Sequence, residues 1–257
     1  MDLHGKRYIV TGGANGMGAA VVGALVSAGA GVASIDVAAE QGAQVVERAN
    51  GAGPGAATFH RCDVSQRDEV AAAFAAAVAA LGGLDGLVHA AGIEDACPPE
   101  NLTDERWDRT IAVNLTGTFL TNQAAYPHLK EGGGVILNFA SDTALIPYSW
   151  SAHYAATKGA VVAWTRSIGA AWGKHNIRAN CMVPAIRTPM YDAHCAQMTP
   201  EEMAQHRKDL AQRLMIRGEF GDPARDLAPV VLFMLSDGAS YITGQLISVN
   251  GGVGVTR

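Results

Sequence analysis

The sequence predicts an α/β protein built on a doubly wound parallel sheet of about seven strands, with helices on both faces. Short β-rich apolar runs alternate with longer helical patterns along the chain. A glycine-rich turn joins the first of these runs directly to the first helix. At 257 residues the chain suits one α/β domain, residues 1–257, better than two, and no Pro/Ser-rich linker or internal repeat divides it.

Residues 8–11 read as the first strand because they form a short apolar run that ends at a turn. The small residues of 17–28 make the next helix, and 31–36 the second strand. A third strand covers 58–62, and the alanine-rich stretch 64–81 has the intrinsic propensity of a packed helix. The fourth strand spans 84–90. Thr103 caps a long helix over 104–128. Residues 135–141 are the fifth strand, 152–173 a second long helix and 176–183 the sixth strand. Residues 189–217 look like a helical insertion, before a helix over 223–235 and a last strand over 246–249.

Composition removes several function classes. Hydrophobic residues make up 49% of the chain and charged ones 17%, which implies a large core. The formal charge is −5 and no basic stripe is present, so a nucleic-acid partner is not expected. No run long enough to span a membrane lacks glycine or charge, and the polar residues 1–7 do not resemble a signal peptide. Cys62, Cys97, Cys181 and Cys195 are scattered without a Cys-x-x-Cys pair. A reducing cytoplasm is the simplest location, with neither disulfides nor a metal site expected.

Thr11-Gly12-Gly13-Ala14-Asn15-Gly16-Met17-Gly18 sits where a strand turns into a helix. Glycine there lets the backbone turn sharply and approach a pyrophosphate, while the helix N-terminus offers free N–H groups and partial positive charge. A Rossmann-type dinucleotide site follows from that context. Asp36 ends the second strand, where a carboxylate can accept hydrogen bonds from an adenosine ribose and repel a 2′-phosphate. Nothing around it is basic: the neighbours are Gly13, Ala14, Asn15 and Val37. NAD is therefore expected over NADP.

Two Tyr-x-x-x-Lys pairs are present, Tyr126/Lys130 and Tyr154/Lys158. Helix positions i and i+4 share a face, so either lysine could sit beside its tyrosine. Tyr126 is followed by Pro127 and then by Gly132-Gly133-Gly134, the pattern of a helix ending. Tyr154 lies inside a helical pattern and follows Ser141 by 13 residues. A free tyrosine with a pKa near ~10 is roughly 0.3% phenolate at pH ~7.5. A positive charge ~5 Å away, at an effective dielectric of ~20, is worth roughly 3 kcal/mol, or about two pKa units. Lys158 is thus expected to make Tyr154 a usable acid/base.

Taken in order, these residues resemble the short-chain dehydrogenase/reductase family over nearly the whole chain. Its Thr-Gly-x-x-x-Gly-x-Gly motif matches residues 11–18, and its Ser, Tyr and Lys match Ser141, Tyr154 and Lys158. Its helical Asn matches Asn114, and its Pro and Thr after the sixth strand match Pro184 and Thr188. The resemblance implies a catalytic set of Asn114, Ser141, Tyr154 and Lys158, with Asn114 fixing a helix kink and a water. It implies cofactor contacts from Gly12, Asn15, Gly16, Met17, Gly18, Asp36, Asp63, Val64, Ala91, Gly92, Tyr154, Lys158, Pro184, Ile186 and Thr188. Asp63 and Val64 would meet the adenine and Lys158 the nicotinamide ribose. A homotetramer is implied as well. The chain departs from the family at His89-Ala90, where two Asn are usual, and at Ala185, usually Gly. His89 reads as a packing residue at a strand end.

The division of labour expected is a cofactor half over about 1–140 and a catalytic half over about 141–257, with a lid over 186–217. Substrate candidates are Asp142, Ile146, Trp150, Met190, Tyr191 and His194, with Tyr148 and Glu94 in the same segments. The apolar candidates suggest a neutral, mostly apolar secondary alcohol or ketone, cyclic, aromatic or steroid-like. Glu94, Asp95 and Asp142 argue against an anionic one. A cofactor-retaining epimerase or dehydratase, and a non-catalytic cofactor sensor, remain as alternatives. The short stretch after Pro184 disfavours the first, and the intact Tyr and Lys disfavour the second.

Overall fold

A computed structural model describes residues 1–253, the side chains of Met190 and His194 excepted. Seven parallel strands form one sheet: β1 (Arg7–Thr11), β2 (Gly31–Asp36), β3 (Ala56–Arg61), β4 (Gly86–His89), β5 (Gly134–Phe139), β6 (Ile177–Pro184) and β7 (Leu246–Val249). Their order is β3-β2-β1-β4-β5-β6-β7. β1 and β4 are buried along almost their whole length, as strands covered on both faces must be. β3, at the edge, buries only Ala57 fully.

Helices cover both faces. On one side, α1 (Gly16–Ser27) and α9 (Ala228–Leu235) supply Val21, Val22, Leu25, Val26, Val231 and Met234 to a core shared with Tyr8, Val10 and Val32. On the other, α3 (Arg67–Leu81), α5 (Gly117–Leu129) and α6 (Ala152–Trp172) pack Phe74, Ala77, Leu120, Leu129 and Ile168 against Ile9, Ile35 and Leu87. The buried face of α3 is Val70, Ala73, Phe74 and Ala77, a helical repeat of small and apolar residues.

The structure differs from the sequence expectation in four places. A helix not expected, α2 (Ala39–Asn50), buries only Gly42, Val45 and Ala49, an apolar face too thin to stand out among its polar neighbours. The long helix over 104–128 is divided: α4 (Asp104–Thr110), one π-helical turn (Ile111–Thr116), then α5. There the Thr118 hydroxyl donates to the Asn114 carbonyl at 2.6 Å and the Thr121 hydroxyl to the Gly117 carbonyl at 2.9 Å. Such hydroxyls compete for helix carbonyls and accompany bends. The inserted segment is two helices, α7 (Pro189–Cys195) and α8 (Pro200–Arg213). A capping box starts α8: the Thr199 hydroxyl accepts from Glu202 N–H and the Glu202 carboxylate from Thr199 N–H. The helix expected over 223–235 opens with its own π-helical turn (Pro223–Leu227).

β1 lies between β2 and β4, so the chain winds outward in both directions from it. Crevices for ligands form at such a reversal, beyond the carboxyl ends of the strands. The glycine loop follows β1 and Ser141 follows β5 at that end. Among the described residues, no helix is long and apolar enough to cross a membrane, and no cluster of His, Cys, Asp and Glu could hold a metal ion.

Candidate active site

Beyond the ends of β4 and β5 lies a cavity of about 740 Å³ whose wall includes Ser141, Tyr154 and Lys158. Ser141 stands immediately before a short 3-10 turn (Asp142–Ala144). Tyr154 and Lys158 occupy the first two turns of α6, on one face, with the ammonium 5.6 Å from the phenol ring centroid. The Ser141 hydroxyl is within hydrogen-bonding reach of two acceptors, the Tyr154 phenol oxygen and Asp142 Oδ1, the latter at 3.1 Å. It has one proton to give. Lys158 is buried, and its Nζ donates to the Phe139 carbonyl at 2.9 Å.

Asn114 holds these elements together from the π-helical turn. Its Oδ1 accepts from Ile93 N–H at 2.8 Å, and its Nδ2 donates to the Ile93 carbonyl at 2.9 Å and to Thr157 Oγ1 at 3.2 Å. The Thr157 hydroxyl in turn donates to the Tyr154 carbonyl at 2.7 Å. One buried amide thus ties the loop after β4 to the helix turn bearing the tyrosine.

Charge in the site is arranged differently from the sequence expectation. The Tyr154 phenol is pushed up from its ordinary value, not down. Burial is the largest cause and the Glu94 carboxylate the next, while the hydrogen bond with Ser141 acts the other way. Lys158 is lowered to about 8, chiefly by burial. Within the protein alone, then, Lys158 gives up its proton before Tyr154 does. Burial disfavours both charged forms, the phenolate and the ammonium.

The glycine loop forms a cradle that side chains would fill. Gly12 has φ +70°, and a β-carbon on it would come 2.7 Å from the backbone nitrogen of Ala91. One on Gly18 would run into the Gly12 carbonyl oxygen. Asn15 caps α1, its Oδ1 accepting from Gly16 N–H at 2.8 Å. Asp36 is turned to the loop: its two oxygens accept from Ala14 N–H and Ala38 N–H, each at 3.0 Å. Met17, Gly92, Pro184, Ile186 and Thr188 line the same cavity as Tyr154. Asp63 Oδ1 accepts from both the amide and the hydroxyl of Ser65, and Val64 is buried beside Gly117. This donor and acceptor set suits a dinucleotide: a tight loop at a helix N-terminus for phosphates, and an oriented carboxylate for a ribose.

Among the substrate candidates, Asp142, Ile146 and Tyr191 line the cavity. Trp150 does not: Cys97 N–H donates to its carbonyl at 2.8 Å, and the side chain is 63% exposed. Met190 and His194 fall outside the described side chains. Tyr148 and Glu94 are both in the wall and hydrogen-bonded to each other. His206, Arg213 and Phe220 also reach the cavity and were not singled out, because no local spacing tells which lid residues fold inward. Tyr126 is remote, stacked on Trp172 with centroids 4.7 Å apart. A second cleft of about 840 Å³, walled in part by α7 and α8 and including Arg187, Arg207 and Arg217, contains none of the Ser–Tyr–Lys trio.

His89 is buried at the end of β4, its Nδ1 2.8 Å from Thr11 Oγ1 and 3.0 Å from Thr121 Oγ1. It therefore links β1, β4 and α5 where the family's pattern has an amide. Burial, and then the charge of Lys158, push it down to about 3.

A doubly wound sheet with this loop and this side-chain set defines an oxidoreductase that takes a nicotinamide cofactor. The comparisons agree. Residues 12–254 match the family model described as enoyl-(acyl carrier protein) reductase. The chain is 38% identical to the 2,5-dichloro-2,5-cyclohexadiene-1,4-diol dehydrogenase of Sphingobium indicum, covering 98% of both chains. It is 36% identical to the D-threitol dehydrogenase of Mycolicibacterium smegmatis, over 97% of this chain and 93% of that one. It is also 36% identical to 3beta-hydroxysteroid dehydrogenase 1 of Eggerthella lenta, over 98% and 95%. A short-chain type dehydrogenase/reductase from Mycobacterium ulcerans superposes with a TM-score of 0.91 at 31% identity, over 98% of this chain and 90% of that one. The chain belongs to the short-chain dehydrogenase/reductase family.

Proposed function

We propose that this protein is an NAD-dependent dehydrogenase that interconverts a neutral secondary alcohol and its ketone. The observation that carries the reading is the joint placement of Ser141, Tyr154 and Lys158 in one cavity at the sheet's switch point. Gly12, Asn15, Gly16, Met17 and Gly18 hold the pyrophosphate end of the cofactor, Asp36 its adenosine ribose, and Asp63 and Val64 its adenine. Ala91, Gly92, Pro184, Ile186 and Thr188 flank the nicotinamide half, and Lys158 anchors the nicotinamide ribose. Bound NAD would supply the hydride acceptor at its nicotinamide ring and a positive charge near the phenol.

The protein's own groups do the rest. Ser141 directs its hydroxyl proton to the substrate oxygen and fixes that oxygen's position. Tyr154 Oη takes the alcohol proton in oxidation and returns it in reduction. Lys158, as an ammonium, and the positive charge of the bound cofactor would together favour the phenolate against the burial that opposes it. Asn114 keeps Tyr154 and the Gly92–Ile93 backbone in register.

A neutral substrate is supported by the carboxylates of Glu94, Asp95 and Asp142 in the wall, which disfavour an anion. The diol, threitol and hydroxysteroid in the names of the three relatives are uncharged alcohols too. Asp36 supports NAD, because a 2′-phosphate would face its carboxylate. A panel of secondary alcohols assayed with NAD and with NADP, by absorbance of the reduced cofactor, tests both points. kcat/KM should be at least about tenfold higher with NAD, equivalent to about 1.4 kcal/mol. A preference for NADP contradicts the role of Asp36. Turnover of carboxylates or acyl thioesters alone contradicts the neutral alcohol.

A further inference from the structure

The active-site cavity of about 740 Å³ and the cleft of about 840 Å³ beside it share part of their walls. Among the described residues, Thr188, Tyr191, Leu210 and Phe220 line both. Residues that face two spaces stand between them, so these four form a partition. Tyr191 comes from α7, Leu210 from α8 and Phe220 from the loop after α8. The rings of Tyr191 and Phe220 meet edge to face, with centroids 4.8 Å apart. We propose that Tyr191 and Phe220 are specificity-determining residues: their ring pair closes the active-site cavity toward the outer cleft, so that the enzyme takes a compact cyclic alcohol and excludes one with a long tail. The proposal rests on the dehydrogenase reading above.

Both rings are held in place. Gly221, next to Phe220, donates its N–H to the Ala185 carbonyl at 3.1 Å and accepts at its own carbonyl from Arg187 N–H at 2.8 Å. That bridge pins Phe220 just past the end of β6. The Tyr191 N–H donates to Thr188 Oγ1 at 3.3 Å, and its hydroxyl lies 3.1 Å from His206 Nε2 on α8. Both rings pack against the apolar cluster of Ala185, Leu210, Leu214 and Val253. Side chains packed on several sides make room for an intruding group only at a cost. The two spaces also differ in chemistry. Ile146, Ile186 and Leu214 give the inner cavity an apolar wall, whereas Arg187, Arg207, Arg217, Asp192 and Asp222 line the outer cleft. A bound nicotinamide takes part of the inner volume, and the reacting hydroxyl lies at Ser141 and Tyr154. A substrate that grows well beyond one ring then presses on the partition. Exclusion by an apolar wall is worth on the order of 10- to 200-fold per methylene.

The test compares the wild type with Phe220→Ala, Phe220→Leu and Tyr191→Phe variants, all with NAD. The substrates are cyclohexanol and cyclohexanols that carry progressively longer methoxyalkyl tails at the meta or para position. The ether oxygen gives the tail an uncharged acceptor for the guanidinium groups of the outer cleft. In the wild type, kcat/KM for the long-tailed alcohols should lie at least about tenfold below that for cyclohexanol. Phe220→Ala joins the two spaces and should raise the ratio of long-tailed to plain alcohol at least about tenfold, with Phe220→Leu in between. Tyr191→Phe keeps the ring and should keep the wild-type ratio. A wild type that oxidises long-tailed and plain alcohols equally well overturns the proposal. So does an unchanged ratio in Phe220→Ala, even if both activities fall, since Phe220 would then serve only the fold. Should Phe220→Ala not fold, the ratios of the wild type and Phe220→Leu decide in the same way. A shift in Tyr191→Phe as large as that in the Phe220 variants overturns the assignment to the rings. If no alcohol of the series is oxidised while NAD binds, as followed by cofactor fluorescence titration, the dehydrogenase reading itself fails. Turnover of all of them without discrimination leaves that reading standing and removes this proposal alone.

Discussion

At the scale of single residues, the decisive feature is where protons sit. Spacing put each lysine beside its tyrosine, because i and i+4 on one helix need no tertiary information, but choosing Tyr154 over Tyr126 and adding Ser141 took the helix-ending pattern at Pro127 and the family resemblance. The balance of burial against charge was not legible. Desolvation depends on everything packed around the phenol, and Glu94 reaches it from a loop 60 residues earlier in the chain. The same limit applies to Tyr148 and Glu94, whose pairing joins two loops with no common pattern. His89 makes a prediction at this scale. Its folded value is about 3, against roughly 6.5 for a free histidine. Between those values the unfolded chain binds a proton that the folded one refuses, so stability falls as the pH drops below about 6.5. The slope from this group approaches ~1.4 kcal/mol per pH unit. A His89→Asn variant, compared with wild type by urea unfolding, should lose about 2 kcal/mol less stability between pH 7 and pH 5. Equal losses in the two proteins would contradict the neutral, buried state of His89.

At the scale of elements, the strands and the glycine loop were readable, since buried parallel strands are short apolar runs and a strand–glycine–helix junction has few uses. The interior of the 104–128 helix was not. Its π-helical turn exists because Asn114 is aimed inward at Ile93 and Thr157, contacts that only the folded chain provides. The lid was readable as helical but not as two helices, and Trp150 was misassigned because a backbone bond to Cys97 turns it outward. The π-helical turn carries its own prediction. Asn114→Ala leaves the Ile93 N–H and carbonyl without their partner. The loss should be about 2 kcal/mol, or a fall in Tm of roughly 4–8 °C, in calorimetry. kcat should fall with it, because the amide also supports the helix turn bearing Tyr154. Unchanged stability and unchanged kcat would mean that Asn114 positions nothing.

At the scale of the whole molecule, one sheet brings the glycine loop and the Tyr154–Lys158 pair to the same end of its strands. The reversal of strand order at β1 opens the crevice, and the cradle and the trio reach it from opposite sides of β4. That arrangement brings residues far apart in the chain, from the glycine loop to Phe220, to one crevice. In the proposed reaction Tyr154 carries the proton and the hydride goes to NAD. A Tyr154→Phe variant tests it most directly, with turnover of a secondary alcohol and binding of NAD measured on the same preparation. The phenyl ring keeps the packing and removes only Oη. kcat should fall about 10²- to 10⁴-fold, the range for a general acid–base group, with NAD affinity retained. Turnover within about threefold of wild type, well short of that range, would contradict it.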